Sequence, residues 1–217
     1  MVENPNILRV YTMRCDTGFA PCVKDNWISI ACCAPPVRQY ATEDDYVLGI
    51  SGRLMEKRKG VGIPYHTPIF LMKVTERLTF DEYFHDERFK GRVDNIYKKN
   101  EKGKYVQTRF HVKDERYIAV HEGDDDWRES EYVLVSNDFY YFGNFWKKDS
   151  FLTMWGRELC KKIDFSYVAG GNAKHVSLDK DIAERIITIR KRYKKGKLGD
   201  PNDILKLTDS FTNDCKP

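Results

Sequence analysis

Short apolar and β-branched runs, separated by turn residues, constrain the fold of this 217-residue chain more than any other feature. The clearest of them lie at residues 7–13, 27–31, 46–50 and 69–74. Runs of this length that are rich in Val, Ile and aromatic residues are typical of β-strands. The sequence therefore predicts that the first two-thirds of the chain is mainly sheet.

A short helix is predicted where Thr79 is followed by Glu82, because this spacing is that of a capping box. Such a helix would turn Phe80, Tyr83 and Phe84 inward.

A longer amphipathic helix is predicted at about residues 178–195, where Ile182, Ile186 and Ile189 recur at helical spacing. Ser177 is the candidate N-cap, and Gly196 offers a left-handed stop.

Two hairpins are also predicted. Polar and glycine residues at 98–104 are typical of a hairpin tip, and the apolar runs at 132–136 and 139–142 are separated by Asn137 and Asp138, which favour a tight turn.

Strands that come first and a helix that comes last indicate an α+β fold rather than repeated βαβ units. We expect a mainly antiparallel, strongly curved or barrel-like sheet, for which a PUA-like arrangement is one form, with a few helices that include the C-terminal amphipathic one. The length fits a single domain over residues 1–217.

The charges exclude little, because 37 Lys and Arg stand against 33 Asp and Glu, a net +4 that neither demands nor forbids nucleic acid. Six cysteines without C-x-x-C spacing favour free thiols and no metal site. The sequence has no signal-peptide pattern and no apolar run of membrane-spanning length, so we expect a cytoplasmic protein without a membrane partner. The residues identify no cofactor.

The first candidate site lies in the Gly- and Pro-containing loop after the first strand. Asp16 could accept a hydrogen bond from a ligand or act as a general base, and Phe19 could stack on a base. The alternative is that Asp16 caps its own turn and that Phe19 belongs to the core.

The next candidate is Arg38, which follows a rigid Pro35-Pro36 turn and has a planar group suited to a phosphate or carboxylate. Ligand contact and a structural role are equally open for it. Cys32 and Cys33 precede the turn, and without a local base or cation we expect both to be buried small hydrophobic residues.

Asp94, Asn95 and Tyr97 combine groups that could read the edge of a base with a ring that could stack on it, and His111 follows as a candidate acid. An Asx turn and a surface histidine are the alternative. Further on, Ser136, Phe139 and Tyr141 lie in an aromatic segment that could line a ligand pocket or pack inward.

Two later segments could contact phosphate. Residues 170–175 contain two glycines before the last helix, where backbone amides could hold a phosphate, although a bare loop fits as well. The basic run at 190–197 could bind a nucleic-acid backbone, or it could be a solvated helix end whose cations suit the helix dipole.

Several of these segments occur in the order of a known family. They are D-x-G-F-A-P at residues 16–21, C-x-P-x-x-R at 33–38, D-x-x-x-G at 45–49, D-N-I-Y at 94–97, V-L-x-S-x-x-F-x-Y-F-G at 133–143 and G-D-P at 199–201. Over roughly residues 7–204 the chain resembles nucleotide-modification-associated domain 2.

The resemblance implies a context of DNA base modification or hypermodification, often in phages or mobile elements, with DNA-modification enzymes as candidate partners. It implies a shared site at Asp16, Phe19, Arg38, Asp94, Asn95, Tyr97, His111, Ser136 and Phe139. The leading hypothesis is a protein that binds a nucleotide or a nucleic-acid base. The alternative is an enzyme that transfers a group to or from a base, with Asp16 or Asp94 as general base and His111 as acid; a pure interaction subunit is the third possibility.

Overall fold

A computed structural model describes residues 6–58, 60, 62–108, 126–165 and 173–203. Its strands are β1 (Ile7–Met13), β2 (Cys22–Lys24), β3 (Trp27–Ile30), β4 (Tyr46–Ser51), β5 (Pro68–Lys73), β6 (Glu76–Thr79), β7 (Tyr97–Lys99), β8 (Tyr105–Gln107), β9 (Tyr132–Ser136), β10 (Asp138–Tyr141), β11 (Ala173–Ser177) and β12 (Gly196–Lys197). Its helices are α1 (Pro35–Tyr40), α2 (Arg53–Lys57), α3 (Phe80–His85), α4 (Asp126–Glu129), α5 (Phe151–Lys162) and α6 (Lys180–Arg192), with 3₁₀ turns at Glu87–Phe89 and Gly143–Lys147.

The strands form two main sheets and one small hairpin. The larger sheet has the order β11-β1-β4-β5-β10-β12, and the smaller has the order β2-β3-β9-β6. Their pairings are antiparallel except for β1 with β4 and β10 with β12. The α+β prediction is confirmed. Within the described ranges neither sheet closes into a barrel, so the barrel-like expectation is not confirmed.

Side-chain alternation along the strands separates the interior into layers. Leu8 and Val10 of β1 face helices α5 and α6, whereas Tyr11 and Met13 face the smaller sheet. Successive strand residues point to opposite faces, so each central strand contributes to two cores. The far face of the smaller sheet packs against a third cluster that includes Phe80 of α3.

Most of the predicted strands and turns are confirmed. β1 begins and ends where the sequence placed it, and β3, β4 and β5 coincide with the other three runs within one or two residues. The capping box forms, since Thr79 Oγ1 accepts from Glu82 N at 3.2 Å and Glu82 Oε2 accepts from Thr79 N at 2.7 Å. Phe80 and Tyr83 are buried, but Phe84 is only half-buried. The polar tip at 98–104 joins the paired strands β7 and β8.

The predicted hairpin at 132–142 is wrong. β9 pairs with β3 and β6 in the smaller sheet, whereas β10 pairs with β5 and β12 in the larger one. The chain therefore crosses between sheets at Asn137. Ser136 stabilises the crossing, because its hydroxyl donates to the backbone oxygen of Lys73 at 2.5 Å and accepts from Asp138 N at 2.9 Å.

The last helix is confirmed as amphipathic, with Ile182, Ile186 and Ile189 buried, but its ends differ from the prediction. Asp179 is the N-cap, and its carboxylate accepts from the backbone nitrogen of Ile182 at 2.8 Å. Ser177 ends β11 instead, and Gly196 belongs to β12 rather than to a helix stop. Helix α5 and strand β11 were not predicted from the sequence.

No helix in the described part of the chain combines the length and the apolar character that a bilayer crossing would require.

Candidate functional site

The loop after β1 meets the segment at 199–203 around the carboxylate of Asp16, which is fully buried. Its Oδ1 accepts from the hydroxyl of Tyr141 at 2.6 Å, and its Oδ2 accepts from the backbone and side-chain nitrogens of Asn202, both at 2.9 Å. The backbone nitrogen of Asp16 donates to Asp203 Oδ2 at 2.7 Å, and Asp203 N donates to Asp16 O at 2.9 Å. We call Asp16, Tyr141, Asn202 and Asp203, together with Arg58, the Asp16 cluster.

Two glycines permit this close approach. Gly18 has φ +79°, and a Cβ on it would lie 2.9 Å from Pro201 Cγ. Gly143 has φ +49°, and a Cβ there would lie 2.2 Å from the backbone oxygen of Asp200. Only glycine adopts this backbone region freely and leaves the space that the neighbouring chain fills. Three segments that are far apart in sequence therefore pack at backbone distance.

Burial controls the electrostatics of the cluster. It raises the pKa of Asp16 from 3.8 to about 6, and the nearby charge of Asp203 adds to the effect, whereas hydrogen bonds from Tyr141 and Asn202 oppose it. Arg58 Nη1 lies 3.0 Å from Asp203 Oδ1, an ion pair that lacks hydrogen-bond geometry. A carboxylate that titrates near neutrality can accept a proton from a bound group.

The pKa of Tyr11 is coupled to Asp16 and to two thiols. Burial raises the pKa of Tyr11, and the charges of Cys33, Asp16 and Cys15 raise it further. Cys32 is buried as expected, but the expectation for Cys33 is wrong, since its side chain is exposed. Cys33 has φ +61° in the turn before α1, which directs it away from the core that Cys32 enters.

A second buried polar network surrounds Asp94. Its carboxylate accepts from Ser29 Oγ at 2.5 Å and from the hydroxyl of Tyr83 at 3.0 Å, and Arg92 Nε lies 3.6 Å away. Arg92 also donates to Ser29 Oγ and to the backbone oxygen of Cys22. We call Asp94, Ser29, Tyr83 and Arg92 the Asp94 network.

The Asp94 network and the Asp16 cluster have different hydrogen-bond partners. No hydrogen bond among the described residues links Asp94 to the Asp16 cluster. Burial raises the pKa of the Cys22 thiol to about 12, and the charge of Asp94 raises it further. The charge of Cys22 in turn raises the pKa of Tyr141. His111 lies outside the described residues.

Arg38 is fully buried in α1 and contacts backbone oxygens. Its Nε donates to Cys33 O at 2.9 Å, and its Nη1 donates to the backbone oxygens of Ser130 and Tyr132 at 2.8 and 2.7 Å. The guanidinium carbon lies 5.2 Å from the centre of the Phe80 ring. These contacts connect α1 to the loop before β9, and a role in phosphate binding stays a prediction.

The remaining candidates from the sequence are buried side chains. Asn95 donates through Nδ2 to the backbone oxygens of Tyr83 and Phe89, at 3.0 and 3.2 Å. Tyr97 packs edge-on against Phe80, with ring centres 4.9 Å apart. Phe19, Ser136 and Phe139 are also at most 2% exposed. Contact of any of them with a ligand stays a prediction.

Residues 173–175 of the glycine-containing segment form part of β11, and residues 170–172 lie outside the described ranges.

Asp16 and Tyr141 are thus the two sequence candidates that the fold brings together. Sequence reasoning missed Arg58, Asn202 and Asp203 as members of the cluster. One signal was available for the last two, because the G-D-P motif at 199–201 leads directly into them. Nothing in the local sequence distinguishes Arg58 from its basic neighbours.

An open groove of about 510 Å³ lies elsewhere, beside α1 and α4. Tyr105, Trp127 and Tyr132 are among the residues that line it, and none of the Asp16 cluster is. We prefer the Asp16 cluster as the candidate site because it concentrates buried ionisable groups, which is typical of functional sites. No group of three or more His, Cys, Asp or Glu side chains in the described ranges is arranged to hold a metal ion.

Comparison with known families gives one match. The family described as nucleotide modification associated domain 2 matches residues 5–208, which includes every segment of the Asp16 cluster. Neither the curated proteins nor the solved structures give a match.

Proposed function

The chain belongs to the nucleotide modification associated domain 2 family, and from this premise we propose that it binds a nucleotide or a nucleic-acid base, at the Asp16 cluster, within DNA base modification. The family supports the context of nucleotide modification. The choice of ligand and of site rests on the chemistry of the cluster.

One observation carries the proposal: three family motifs that are distant in sequence meet at one buried carboxylate. D-x-G-F-A-P supplies Asp16, the V-L-x-S-x-x-F-x-Y-F-G motif supplies Tyr141, and G-D-P leads into Asn202 and Asp203. A fold can be stabilised with apolar contacts alone, and buried carboxylates cost stability unless donors satisfy them. Their concentration at this point supports a role in recognition.

The free acceptor capacity of the cluster fits the donor edge of a base. The two oxygens of a carboxylate offer about four acceptor positions, and three of those on Asp16 are occupied. Asp203 Oδ1 lies 3.0 Å from Arg58 Nη1 in an ion pair, but it accepts no hydrogen bond from the described residues. Exocyclic amines and ring N–H groups of bases are donors of the required kind. Both carboxylates are buried, so a ligand would reach them when the segment at 199–203 shifts.

A second function is favoured by the pKa of Asp16. At about 6 it lies close to neutral pH, where a general base is most effective, so Asp16 is the candidate base of an enzyme that transfers a group to or from a base or nucleotide. In this version, Tyr141 and Asn202 position the carboxylate. Asp94 lies outside this cluster, where its carboxylate accepts from Ser29 and Tyr83 and lies 3.6 Å from Arg92.

Ligand binding can be tested with native mass spectrometry and thermal shift against nucleotides, nucleosides and short DNAs, including hypermodified bases. We expect one class to raise the melting temperature of the wild-type protein and Asp16→Asn to abolish that shift. The matched control is Asp94→Asn, which also removes a buried carboxylate but lies outside the site. Circular dichroism verifies that both variants are folded.

Equal loss of binding in both variants would assign the effect to stability and would contradict the site. If Asp16→Asn left binding intact, the ligand would have to lie elsewhere. For the enzyme version, turnover of the ligand identified in this way should fall as the pH is lowered through about 6, and it should be absent in Asp16→Asn.

A further inference from the structure

We infer that a basic face beside the Asp16 cluster binds the phosphodiester backbone of a polynucleotide, so that the substrate class of the site is a nucleic-acid strand rather than a free nucleotide. This inference deepens the proposed function and rests on it for the role of Asp16. The face itself is defined by the segments at 138–149 and 190–200.

These two segments concentrate charge of one sign. They contain eight cations against three carboxylates, an excess of five positive charges in a chain whose total is +4. The rest of the chain is therefore close to neutral, and the basic character lies on this face. The cations are Lys147, Lys148, Arg190, Lys191, Arg192, Lys194, Lys195 and Lys197.

The fold joins the two segments into one surface. β12 pairs with β10, and Tyr193 packs edge-on against Phe142 and Phe145, with ring centres 5.5 and 6.0 Å apart. Asn144 N donates to the backbone oxygen of Asp200 at 2.8 Å. The end of α6 and the turn after β10 are consequently neighbours.

Half of the cations already have acidic partners. Asp138 pairs with Arg190 and Lys195, at 3.0 and 2.8 Å, while Asp149 pairs with Arg192 and Asp200 with Lys197.

The other four, Lys147, Lys148, Lys191 and Lys194, are exposed, and within the described ranges no carboxylate lies at ion-pair distance from them. Compensation of the α6 dipole accounts for Lys191 at most, because Lys194 lies beyond the C-cap and Lys147 and Lys148 belong to another element. An anionic partner accounts for all four.

A half-buried tryptophan connects the face to the site. Trp146 Nε1 donates to Asn202 Oδ1 at 2.9 Å, and Asn202 Nδ2 donates to Asp16 at the same distance. The ammonium group of Lys147 lies 5.7 Å from the centre of the Trp146 ring. A strand whose phosphates contact these lysines would have its bases next to an indole, a side chain on which bases stack, and two contacts away from Asp16.

The test is fluorescence anisotropy with a labelled single-stranded DNA over a series of salt concentrations. The face variant replaces Lys147, Lys148, Lys191 and Lys194 by Ala. The matched control replaces four exposed lysines elsewhere, Lys57, Lys102, Lys104 and Lys161, so that both proteins lose the same charge.

We expect the face variant to bind the strand more weakly and to reduce the slope of log K against log salt by about 3, since each phosphate contact to a single strand contributes roughly 0.7. The control should behave as the wild type. Duplex DNA and RNA of the same length also have phosphodiester backbones. The nucleic acid that binds most tightly among single-stranded DNA, duplex DNA and RNA identifies the class of the natural ligand.

Equal losses in the face variant and the control, or a strand that binds no tighter than its mononucleotide, would overturn the inference. The two proposals fail separately. Mononucleotide binding that needs Asp16 but gains nothing from a strand supports the site and refutes the face. Salt-dependent strand binding that is lost in the face variant but unchanged in Asp16→Asn supports the face and refutes the site.

Discussion

The carboxylate of Asp16 is fully buried, yet donors from two distant parts of the chain contact both of its oxygens. The short contact to Tyr141 is the simplest of these to remove, because phenylalanine keeps the ring and loses only the hydroxyl. The rest of the cluster stays in place in such a variant.

We expect Tyr141→Phe to lower the free energy of unfolding by about 1–3 kcal/mol, the usual cost of leaving a buried polar group without its partner. The same change should raise the pKa of Asp16 further, since the hydrogen bond from Tyr141 lowers it. Urea denaturation measures the first effect and carboxyl NMR the second. Tyr40→Phe is the control, because Tyr40 is 66% exposed; equal losses in both variants would contradict the prediction.

A pH dependence of stability follows from the raised pKa of Asp16. A group whose pKa is higher in the folded state favours folding when it is protonated, so its contribution is complete below 3.8 and is lost as the pH rises through about 6. The rise of the Asp16 pKa from 3.8 to about 6 corresponds to roughly 3 kcal/mol. We expect the stability of the wild type relative to Asp16→Asn to increase by up to that amount between pH 7 and pH 4.

The comparison with Asp16→Asn is needed because His66 titrates in the opposite sense. Burial lowers its pKa from 6.5 to about 4, so its contribution is present above 6.5 and is lost as the pH falls through 4. The difference in stability between the two proteins removes the contribution of His66. A pH-independent difference would show that Asp16 titrates normally in the folded state.

At the scale of single residues, the sequence identified side chains with suitable chemistry, but it did not predict which of them would be buried or what they would contact. Asp16 and Tyr141 could be named in advance because each lies in a recognisable motif. Arg38 and Asn95 donate to backbone oxygens and Phe139 lies in the central core, while contact of these residues with a ligand stays a prediction. Burial depends on which strand covers which, and spacing along the chain does not contain that information.

At the scale of single elements, the N-cap of α6 can be tested, because Asp179 and Ser177 are alternative capping residues. Asp179 caps the helix through its side chain, whereas Ser177, which the sequence pattern favoured, lies in β11 with its side chain exposed.

We expect Asp179→Ala to lower the free energy of unfolding by about 1 kcal/mol, the typical cost of a lost N-cap. Ser177→Ala should have little effect. Thermal denaturation of the two single variants measures the difference, and a larger loss for Ser177→Ala would favour the earlier cap.

Helix α5 and the change of sheet at Asn137 were not predicted from the sequence, for reasons that the structure shows. Helix α5 has apolar residues at helical spacing, but Ser150 makes no side-chain cap hydrogen bond, and Gly156 inside the helix lowers the helix propensity of the segment. Gly156 is required by packing, because a Cβ there would lie 2.1 Å from the backbone oxygen of His66. The hairpin prediction at 132–142 was wrong for a different reason. Two strands joined by Asn137 can pair with each other or belong to different sheets, and the result depends on the strands that are available as partners, here β3 for β9 and β5 for β10.

For the whole molecule, the layered cores suggest one folding unit. The central core lies between the sheets and includes side chains from both, such as Val47 and Ile28. Neither sheet could keep its buried face without the other, so we expect a single cooperative transition.

Two single-tryptophan variants can report on this. One keeps Trp155 beside α6, and the other keeps Trp27 on the far side of the smaller sheet. Their fluorescence transitions in urea should coincide with each other and with far-UV circular dichroism. Midpoints that differ would show two units and would contradict the expectation of one domain over residues 1–217.

The contact between Asp16 and Asp203 also sets an order of events during translation. The two residues are 187 positions apart, and ribosomes add about 5–20 residues per second, so about 10 to 40 s pass between their synthesis. Throughout that interval the Asp16 carboxylate of a nascent chain lacks the donors of Asn202. The proposed ligand site is therefore complete in each new molecule only after the strands that surround it have been made.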